Sequence, residues 1–443
     1  MTDLLFARSQ MGMSLAFHII FAVMGVGLPV LMAIAEAAYL RTRRPIYLEL
    51  SKRWARGAAI LFAVGAVSGT VLAFELGLLW PGFMEHAGAI IGMPFSLEGF
   101  AFFAEAIFLG LYLYGWDRLP PIVHWICGVL VALNGALSAI FVVTANAWMN
   151  APAGFRMVNG KATDIDPIAA MLNPASLHEV LHMTLAAYVA TGFAVAAVHA
   201  FFLLRKPGSE FHRAALGIAL AVGCISAPLQ ILSGDFSART VAKIQPAKLA
   251  AMEAHYHTEK GAPILIGGLP NDDSRTTSCA LRIPRGLSLL IAHDPQARVA
   301  GLEEFPRANW PNVRLVHWSF DLMVACGFAL LALSLAAAWL WWKRRRLPDA
   351  KWFLWSTVLA GPLGFVAVEA GWMVTELGRQ PWIIYGVMRT DQAVTPMPGI
   401  AVPFFVFTAV YVFLAISVVY LLRRQFLQAP GSVDKASAIS TDV

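Results

Sequence analysis

The chain has 443 residues, of which 58% are hydrophobic and only 14% are charged, and its mean hydropathy is +0.65. Soluble domains carry about 25% charged residues, so this composition excludes a chain built of soluble globular domains. The formal net charge is +6, but the cations lie between apolar stretches, which argues against a nucleic-acid-binding protein. The four cysteines include no CxxC pair and predict neither a disulfide framework nor a zinc site.

Nine apolar stretches follow one another along the chain. A run of about 20 apolar residues is long enough to cross a bilayer as a helix, and only helices or closed barrels satisfy their backbone in lipid. The sequence therefore predicts an all-α fold, a polytopic membrane bundle of about nine transmembrane helices that forms a single domain over residues 1–427. The predicted spans are about 14–38, 56–80, 97–115, 122–148, 180–204, 214–233, 317–342, 352–375 and 401–422.

Polar segments separate some of these spans. The largest covers about 235–311, with a helical stretch predicted near Pro246–His257 and an irregular stretch at Gly261–Pro270. A shorter polar segment covers about 148–176. The small, polar tail at 428–443 is predicted to be disordered.

Basic residues mark one side of the predicted bundle. Lys and Arg concentrate in cytoplasmic loops, so their distribution predicts an outer N-terminus and a cytoplasmic C-terminus. Arg379 and Arg389 are exceptions on the predicted outer side. The residues that set the orientation are Arg41, Arg43, Arg44, Lys52, Arg53, Arg56, Arg118, Arg205, Lys206, Arg213, Lys343, Arg344, Arg345, Arg346, Lys351, Arg423 and Arg424.

Several residues that hydrocarbon disfavours fall near the outer ends of the spans. An ionisable side chain inside a membrane is costly, so each one is a functional hypothesis. Glu98 and Glu105 are seven residues apart, which places them on one helix face about 10 Å apart and suits a proton relay or a cation site. The full set is His18, Glu98, Glu105, His178, His182, Met323 and Glu376.

This residue set favours haem over a bare metal ion. A His/Met pair makes a six-coordinate electron-transfer haem, and a single His or Glu ligand leaves the other face of the iron open for oxygen. A zinc site needs three or four close N or S ligands, and the spacing predicts no such cluster. A purely structural interpretation stays open for four of these residues. Methionine is most often core filler, which applies to Met323, and His178 lies near the solvated interface. For His18 and His182 the structural and functional interpretations stand even, because an unpaired imidazole in apolar surroundings is costly.

In chain order, the motifs resemble subunit I of cytochrome bd-type quinol oxidases. The resemblance covers nearly the whole chain, and Gln245–Leu249 and Gly378–Trp382 are its most specific parts. The other matching residues are Ala7–Gln10 with His18, Leu97–Phe100, Phe102–Glu105, Asn146–Met149, His182 and Met323.

The resemblance implies a terminal respiratory oxidase that oxidises quinol at the outer face, reduces O₂ to water and builds a proton gradient without pumping. His182 and Met323 match the axial ligands of a low-spin haem b. His18 and Glu376 match the ligands of two high-spin haems, one b and one d. Which residue binds which haem stays open, as does the replacement of haem d by a third haem b.

Further residues match family positions with assigned roles. Glu98 and Glu105 match acidic residues beside the high-spin pair, and Trp372 matches an aromatic residue packed near it. Lys248 and Glu253 match residues tied to quinol oxidation. Their loop is short, as in the branch that includes cyanide-insensitive oxidases. Arg379, next to these motifs, is placed to neutralise Glu376 or haem propionates.

The family also implies the surroundings of the chain. It predicts a bacterial cytoplasmic (inner) membrane, a smaller membrane subunit II, ubiquinol or menaquinol, O₂ and membrane lipid as partners. A small accessory subunit stays open, and no nucleic acid is expected.

One residue departs from the family pattern. The family commonly has an arginine two residues before the methionine ligand, whereas this chain has Asp321. A carboxylate there would lower the potential of the low-spin haem unless another cation compensates. Glu369, two turns before Glu376, matches no family role.

Two competing interpretations remain. One is a haem-bearing membrane protein that transfers electrons or senses quinol without oxidase activity, a divergence that Asp321 hints at. The other is a transporter, but transporters usually contain repeats or broken helix pairs, and the sequence predicts neither.

Overall fold

The computed structural model describes residues 3–427, so the tail predicted to be disordered lies outside the described residues. Within them, nine helical segments are long and apolar enough to cross a membrane, which confirms the predicted number of spans. The helices are α1 (Asp3–Thr42), α2 (Pro45–Leu79), α3 (Pro81–Tyr114), α4 (Pro121–Asn150), α5 (Pro167–Met171), α6 (Ser176–Arg205), α7 (Glu210–Ile244), α8 (Pro246–Met252), α9 (Gly286–Ala292), α10 (Val313–Arg344), α11 (Lys351–Ala360), α12 (Leu363–Arg379), α13 (Thr390–Ala393) and α14 (Ala401–Leu427).

Several helices extend beyond the predicted spans. Helix α7 continues to Ile244, so the large polar segment begins at Gln245 and not near residue 235. Apolarity marks only the part of a helix inside hydrocarbon, and the hydrogen-bonded backbone continues past it. In contrast, the helical stretch predicted to reach His257 ends at Met252, because Ala254 adopts a left-handed backbone with φ 46°.

The eighth span is broken, which the sequence prediction of a continuous 352–375 helix missed. Helix α11 ends at Ala360 and α12 begins at Leu363, with Gly361 and Pro362 between them. Proline has no N–H to donate to the preceding turn and its ring displaces that turn, so the helix restarts after it.

Short antiparallel pairs of strands occupy the polar segments. The stretch predicted to be irregular, Gly261–Pro270, contains the strand β4 and the start of β5. The pairs are β1 (Arg156–Val158) with β2 (Lys161–Thr163), β3 (Glu259–Lys260) with β8 (Arg298–Val299), β4 (Ile264–Ile266) with β7 (Leu281–Ile283), β5 (Leu269–Asn271) with β6 (Thr276–Ser278), and β9 (Trp382–Ile384) with β10 (Met388–Arg389).

Helix α6 lies at the centre of the bundle, against α1, α4, α7, α11 and α12. Small residues allow its close contacts. A Cβ atom on Gly27 would lie 2.2 Å from the Thr191 hydroxyl oxygen, and one on Gly364 would lie 2.4 Å from the Cα of Ala190. The positions of the site-bearing helices α1 and α12 therefore depend on glycine at these crossings.

The Gly364→Ala variant is expected to lower the free energy of unfolding by about 1–3 kcal/mol, the usual cost of overpacking a tight core. The added methyl group meets backbone, which cannot move aside. Thermal unfolding of the purified complex measures the change. Gly110→Ala is the control, because no heavy atom lies within 4 Å of its added Cβ. Equal melting of the two variants would contradict the expectation.

The basic residues gather at the end of the bundle opposite to the N-terminus of α1. Arg44 there forms an ion pair with Glu210 at 2.9 Å. Arg389, one of the two exceptions, binds the polar segment instead: its guanidinium donates to the Asn309 side chain at 3.0 Å and to the Ala308 carbonyl at 2.8 Å. The orientation across the membrane stays a prediction.

Candidate functional site

His182 is held in one tautomer by a serine on the neighbouring helix. Its Nδ1 lies 2.9 Å from the Ser233 hydroxyl, and that hydroxyl donates to the Gln230 carbonyl at 2.8 Å. The hydroxyl has a single hydrogen, so it accepts the N–H of Nδ1, and the lone pair lies on Nε2. A second partner of this kind is typical of histidines that bind metal. Nε2 accepts from the Gln230 amide at 3.0 Å, and its lone pair is the one that a haem iron would take.

His18 has the same arrangement on α1. Its Nδ1 lies 3.0 Å from the Ser68 hydroxyl, which donates to the Val64 carbonyl at 2.9 Å. The tautomer is again N–H on Nδ1 with the lone pair on Nε2. Helix α2 approaches the ring closely, since a Cβ on Gly69 would lie 3.0 Å from His18 Cε1.

His178, one turn before His182, repeats the pairing less tightly. Its Nδ1 lies 3.2 Å from the Ser237 hydroxyl, one turn along α7 from Ser233. Its Nε2 is buried without a hydrogen-bond partner among the described residues. The two His–Ser pairs form a matched set with which to test the prediction that His182, and not His178, is a haem ligand.

If His182 is a haem ligand, the Ser233→Ala variant is expected to weaken haem binding at this position about 10- to 100-fold, the usual effect of removing a partner that orients a ligand. Ser237→Ala removes the same hydroxyl one turn away and should leave the haem content within twofold. Haem content after dilution, measured by the optical spectrum, distinguishes the two variants. Equal loss in both variants would contradict the assignment of His182.

Met323 lies on α10 where that helix packs on α12. A Cβ on Gly371 would lie 3.1 Å from the Met323 sulfur, so the thioether needs glycine opposite it. His182 contacts Ser233 of α7, and Met323 contacts Gly371 of α12.

Glu376 and Arg379 form the most strongly charged part of the site. One Glu376 oxygen accepts from the Asn146 amide at 2.6 Å, and the other accepts from Arg379 at 2.5 Å. Arg379 is only 2% exposed, yet its Nε and one terminal nitrogen have no partner among the described residues. A buried guanidinium with unused N–H groups fits an additional anion such as a haem propionate.

A chain of amides connects this pair to Lys248. The Asn150 amide donates to Asn146 at 3.2 Å and to Glu179 at 3.0 Å. Lys248 donates to Asn150 at 3.0 Å and to Gln245 at 2.9 Å. Sequence reasoning quoted Asn146 within a motif but missed Asn150 and Glu179; the one-turn spacing from Asn146 was the available signal for Asn150.

Lys248 and Glu253 lie outside the spans and face different groups. Burial lowers the pKa of the Lys248 ammonium to about 8, although Glu179 opposes this change. Burial raises the pKa of Glu253 to about 8, and the Asp321 carboxylate raises it further. Glu253 is 1% exposed, and its Oε2 has no partner among the described residues.

Glu98 and Glu105 both lie on the side of α3 that packs on α4. Ser138 donates to Glu98 at 3.1 Å, and a Cβ on Gly135 would lie 3.2 Å from Glu105 Oε1. A cavity of ≈ 10 Å³ adjoins Glu105 and extends between α1, α2, α3 and α4. That volume is on the order of one water molecule.

Trp372 and Glu369 lie one and two turns before Glu376 on α12. Trp372 is partly buried and packs against a core cluster to which α1, α6 and α12 contribute residues, Ile19 among them. Its indole nitrogen and one Glu369 oxygen are buried without partners among the described residues. The structure gives Glu369 no contact with the predicted ligands.

Two further buried carboxylates were missed by sequence reasoning, although both interrupt predicted spans. Glu75 accepts from Gln10 and Ser14, each at 2.9 Å. Glu36 lies 2.7 Å from His124 Nδ1. The rule applied to the other ionisable residues would have selected both.

Among residues 3–427, no three His, Cys, Asp or Glu side chains converge to hold a bare metal ion. Single histidines in a fixed tautomer and a buried arginine with free N–H groups fit haem instead.

Residues 6–430 match the family model for cytochrome bd terminal oxidase subunit I. The chain belongs to this family. It is therefore a multi-pass membrane subunit of a terminal respiratory oxidase that oxidises quinol, and the family implies haem cofactors, a subunit II partner and O₂.

Relatives of this family match over nearly their whole length. "Putative cytochrome bd menaquinol oxidase subunit I" of Bacillus subtilis is 39% identical, with 99% of this chain and 100% of the relative aligned. Cytochrome bd ubiquinol oxidase subunit 1 of the same organism is 32% identical over 96% and 94%. The bd oxidase structure from Geobacillus thermodenitrificans matches with TM-score 0.91 and 38% identity, over 97% of this chain and 99% of that chain.

Proposed function

We propose that this chain holds the complete haem set of its oxidase and the quinol-oxidising loop. In this proposal, His182 and Met323 bind a low-spin haem b, and His18 and Glu376 bind a high-spin pair of haem b with haem d or a third haem b. The observation that carries the proposal is the buried Arg379 beside Glu376, with N–H groups left for another anion.

Haem, when bound, supplies electron transfer at the low-spin centre and O₂ reduction at the high-spin pair. Ser233 and Ser68 keep the Nε2 lone pairs of His182 and His18 available for iron. Arg379 compensates the charge of Glu376 and of a propionate. Trp372 packs against the core cluster shared by α1, α6 and α12.

Buried carboxyl groups transfer protons both at the quinol-oxidising loop and near the high-spin pair. Glu253 accepts a proton from quinol at the predicted outer face, and Lys248 positions the head group through its amide partners. Glu105, beside its water-sized cavity, delivers protons toward the high-spin pair, with Glu98 nearer the outer end. Outer release and cytoplasmic uptake build a gradient without a pump.

Quinol oxidation is expected to rise with pH with a midpoint near 8, where burial places the pKa of Glu253. The ionised carboxylate is the proton acceptor, and its fraction grows as the pH passes this value. Glu253→Gln should lower quinol turnover about 10²-fold or more and flatten the profile. Glu253→Asp should retain the increase in quinol turnover with pH. An artificial electron donor that bypasses quinol should support the same rate of O₂ uptake in wild type, Glu253→Gln and Glu253→Asp. Parallel loss with both donors would indicate misfolding instead.

Measurements of O₂ uptake and haem content on the purified complex with subunit II test the proposed function. We expect O₂ uptake with ubiquinol or menaquinol and an extracted-haem analysis that shows haem b with or without haem d. The two Bacillus relatives are described as menaquinol and ubiquinol oxidases, so both quinols are needed. Absence of haem d together with absence of quinol-driven O₂ uptake would overturn the proposal.

The surroundings of the complex are part of the same proposal. Large apolar side chains on α3 and α14, such as Phe103 and Phe413, are exposed and suit lipid or subunit II. A bacterial inner membrane with an outer N-terminus fits the basic residues at the opposite end of the bundle. Fusion of a reporter to the C-terminus, active only in the cytoplasm, tests the orientation.

A further inference from the structure

His317 is a fully buried histidine whose two ring nitrogens both face backbone carbonyls. Nδ1 lies 2.7 Å from the Met252 oxygen and Nε2 lies 2.9 Å from the Gly267 oxygen. The residue is 0% exposed, so no solvent takes part in either contact.

The two carbonyl contacts determine how many hydrogens the His317 ring carries. A carbonyl oxygen only accepts, so each nitrogen must carry a hydrogen, and an imidazole with two N–H groups is the imidazolium cation. A neutral ring would place a lone pair against a buried carbonyl oxygen and leave that oxygen unpaired. The Asp321 carboxylate lies 3.5 Å from Nε2 and supplies the counter-charge.

The contacts of this ion pair join three parts of the chain. Met252 is the last residue of α8, the short helix that carries Lys248, and a cation is favourable at a helix C-terminus. Gly267 belongs to the turn between β4 and β5, and its N–H donates to Asp321 at 2.6 Å. Helix α10, which carries both charged residues, also carries Met323.

We propose that His317 is an imidazolium, held between two backbone carbonyls, that together with Asp321 fixes the polar loop of residues 245–311 onto α10. It is a positioning residue: it sets where Lys248 and Glu253 lie relative to the helix with Met323. The part of this inference that concerns quinol rests on the proposed function above.

His317 compensates the negative charge that Asp321 places two residues before Met323. A lone carboxylate two residues before Met323 would favour ferric haem, but a carboxylate beside an imidazolium forms a pair with no net charge. The Asp321 side chain also accepts from the loop backbone, so its charge is held by the loop. His317 thus provides the cation that the family more often places at position 321.

Single variants of the pair separate a charge role from a packing role. His317→Gln leaves Asp321 uncompensated, so the potential of the low-spin haem should shift down. Asp321→Asn leaves the imidazolium uncompensated but keeps an oxygen for the Gly267 N–H, so the potential should shift up. A role in packing alone would move both potentials in the same direction, and that result would overturn the proposal.

The protonation state is read directly from ¹⁵N-histidine spectra of the complex. The difference between wild type and His317→Gln should show a ring with both nitrogens protonated at neutral pH. A ring with one bare nitrogen would overturn the proposal. This readout needs neither quinol nor turnover, so a complex that lacked quinol oxidation would refute the proposed function and leave this inference intact.

Limited proteolysis tests whether His317 holds the loop of residues 245–311 in place. His317→Gln should increase cleavage within residues 245–311 at least tenfold and raise the quinol KM more than it lowers kcat. Trp318→Phe is the matched control, because it removes an uncharged contact of 2.9 Å to the neighbouring Gly268 carbonyl. Equal cleavage of wild type and His317→Gln would overturn the proposal. If His317→Gln does not assemble, Asp321→Asn takes its place in the cleavage and KM comparisons, with the same expected directions.

Discussion

Replacing His182 with alanine is expected to remove the low-spin haem from the spectrum and to lower quinol-driven O₂ uptake at least about 100-fold. Loss of a partner that only orients a ligand already costs 10- to 100-fold, so loss of the ligand costs more. The high-spin bands should persist, because His18 and Glu376 lie on other helices with their own partners. Met323→Ala should have the same spectral effect.

His178→Ala is the control for this experiment. The residue lies one turn away on the same helix face and pairs with the equivalent serine, Ser237. We expect it to retain the low-spin bands. If His178→Ala removed them and His182→Ala did not, the ligand would be His178, and the tighter Ser233 contact would have another explanation.

Glu376→Gln is the second change with a large expected effect. It removes the only ionised partner within 4 Å that Arg379 has among the described residues and leaves a buried cation uncompensated. Breaking a buried ion pair in this way costs about 3–5 kcal/mol. We expect loss of one high-spin haem and of O₂ reduction, while the low-spin bands remain.

Glu369→Gln provides the matched control on the same helix. Glu369 is two turns deeper, and the structure gives it no ion pair with a described residue. Normal haem content and O₂ uptake are expected for this variant. His18→Ala completes the set: if every haem survived that change, the assignment of His18 would be wrong.

Helix α12 agrees with the sequence-based expectation at its outer end and differs from it at its start. The sequence alone placed Glu376 at a helix end with Arg379 as a compensating cation, and the 2.5 Å contact between them agrees. It did not reveal the break at Gly361 and Pro362, since the apolar run continues through both residues. It also did not reveal that two guanidinium nitrogens stay unpaired.

The polar partners of the site show a second difference. Ser233, Ser68 and Asn150 were not selected, because serine and asparagine are ordinary within membrane helices and carry no charge. Only their contacts, made across 50 or more residues for the two serines, give them a function. Asp321 is a further example. In the sequence it is a charge without a partner, and in the structure it lies 3.5 Å from His317 Nε2.

The sequence by itself determined the nine spans, the family and the set of predicted ligands, because these depend on local composition and on short motifs. The tertiary structure decided which side chains meet. A membrane helix that is apolar on nearly all sides gives no periodic signal for the face that packs inward. The rotation of each helix, and with it the tautomers of His18 and His182, the unused N–H groups of Arg379 and the His317–Asp321 pair, follow only from the packed bundle.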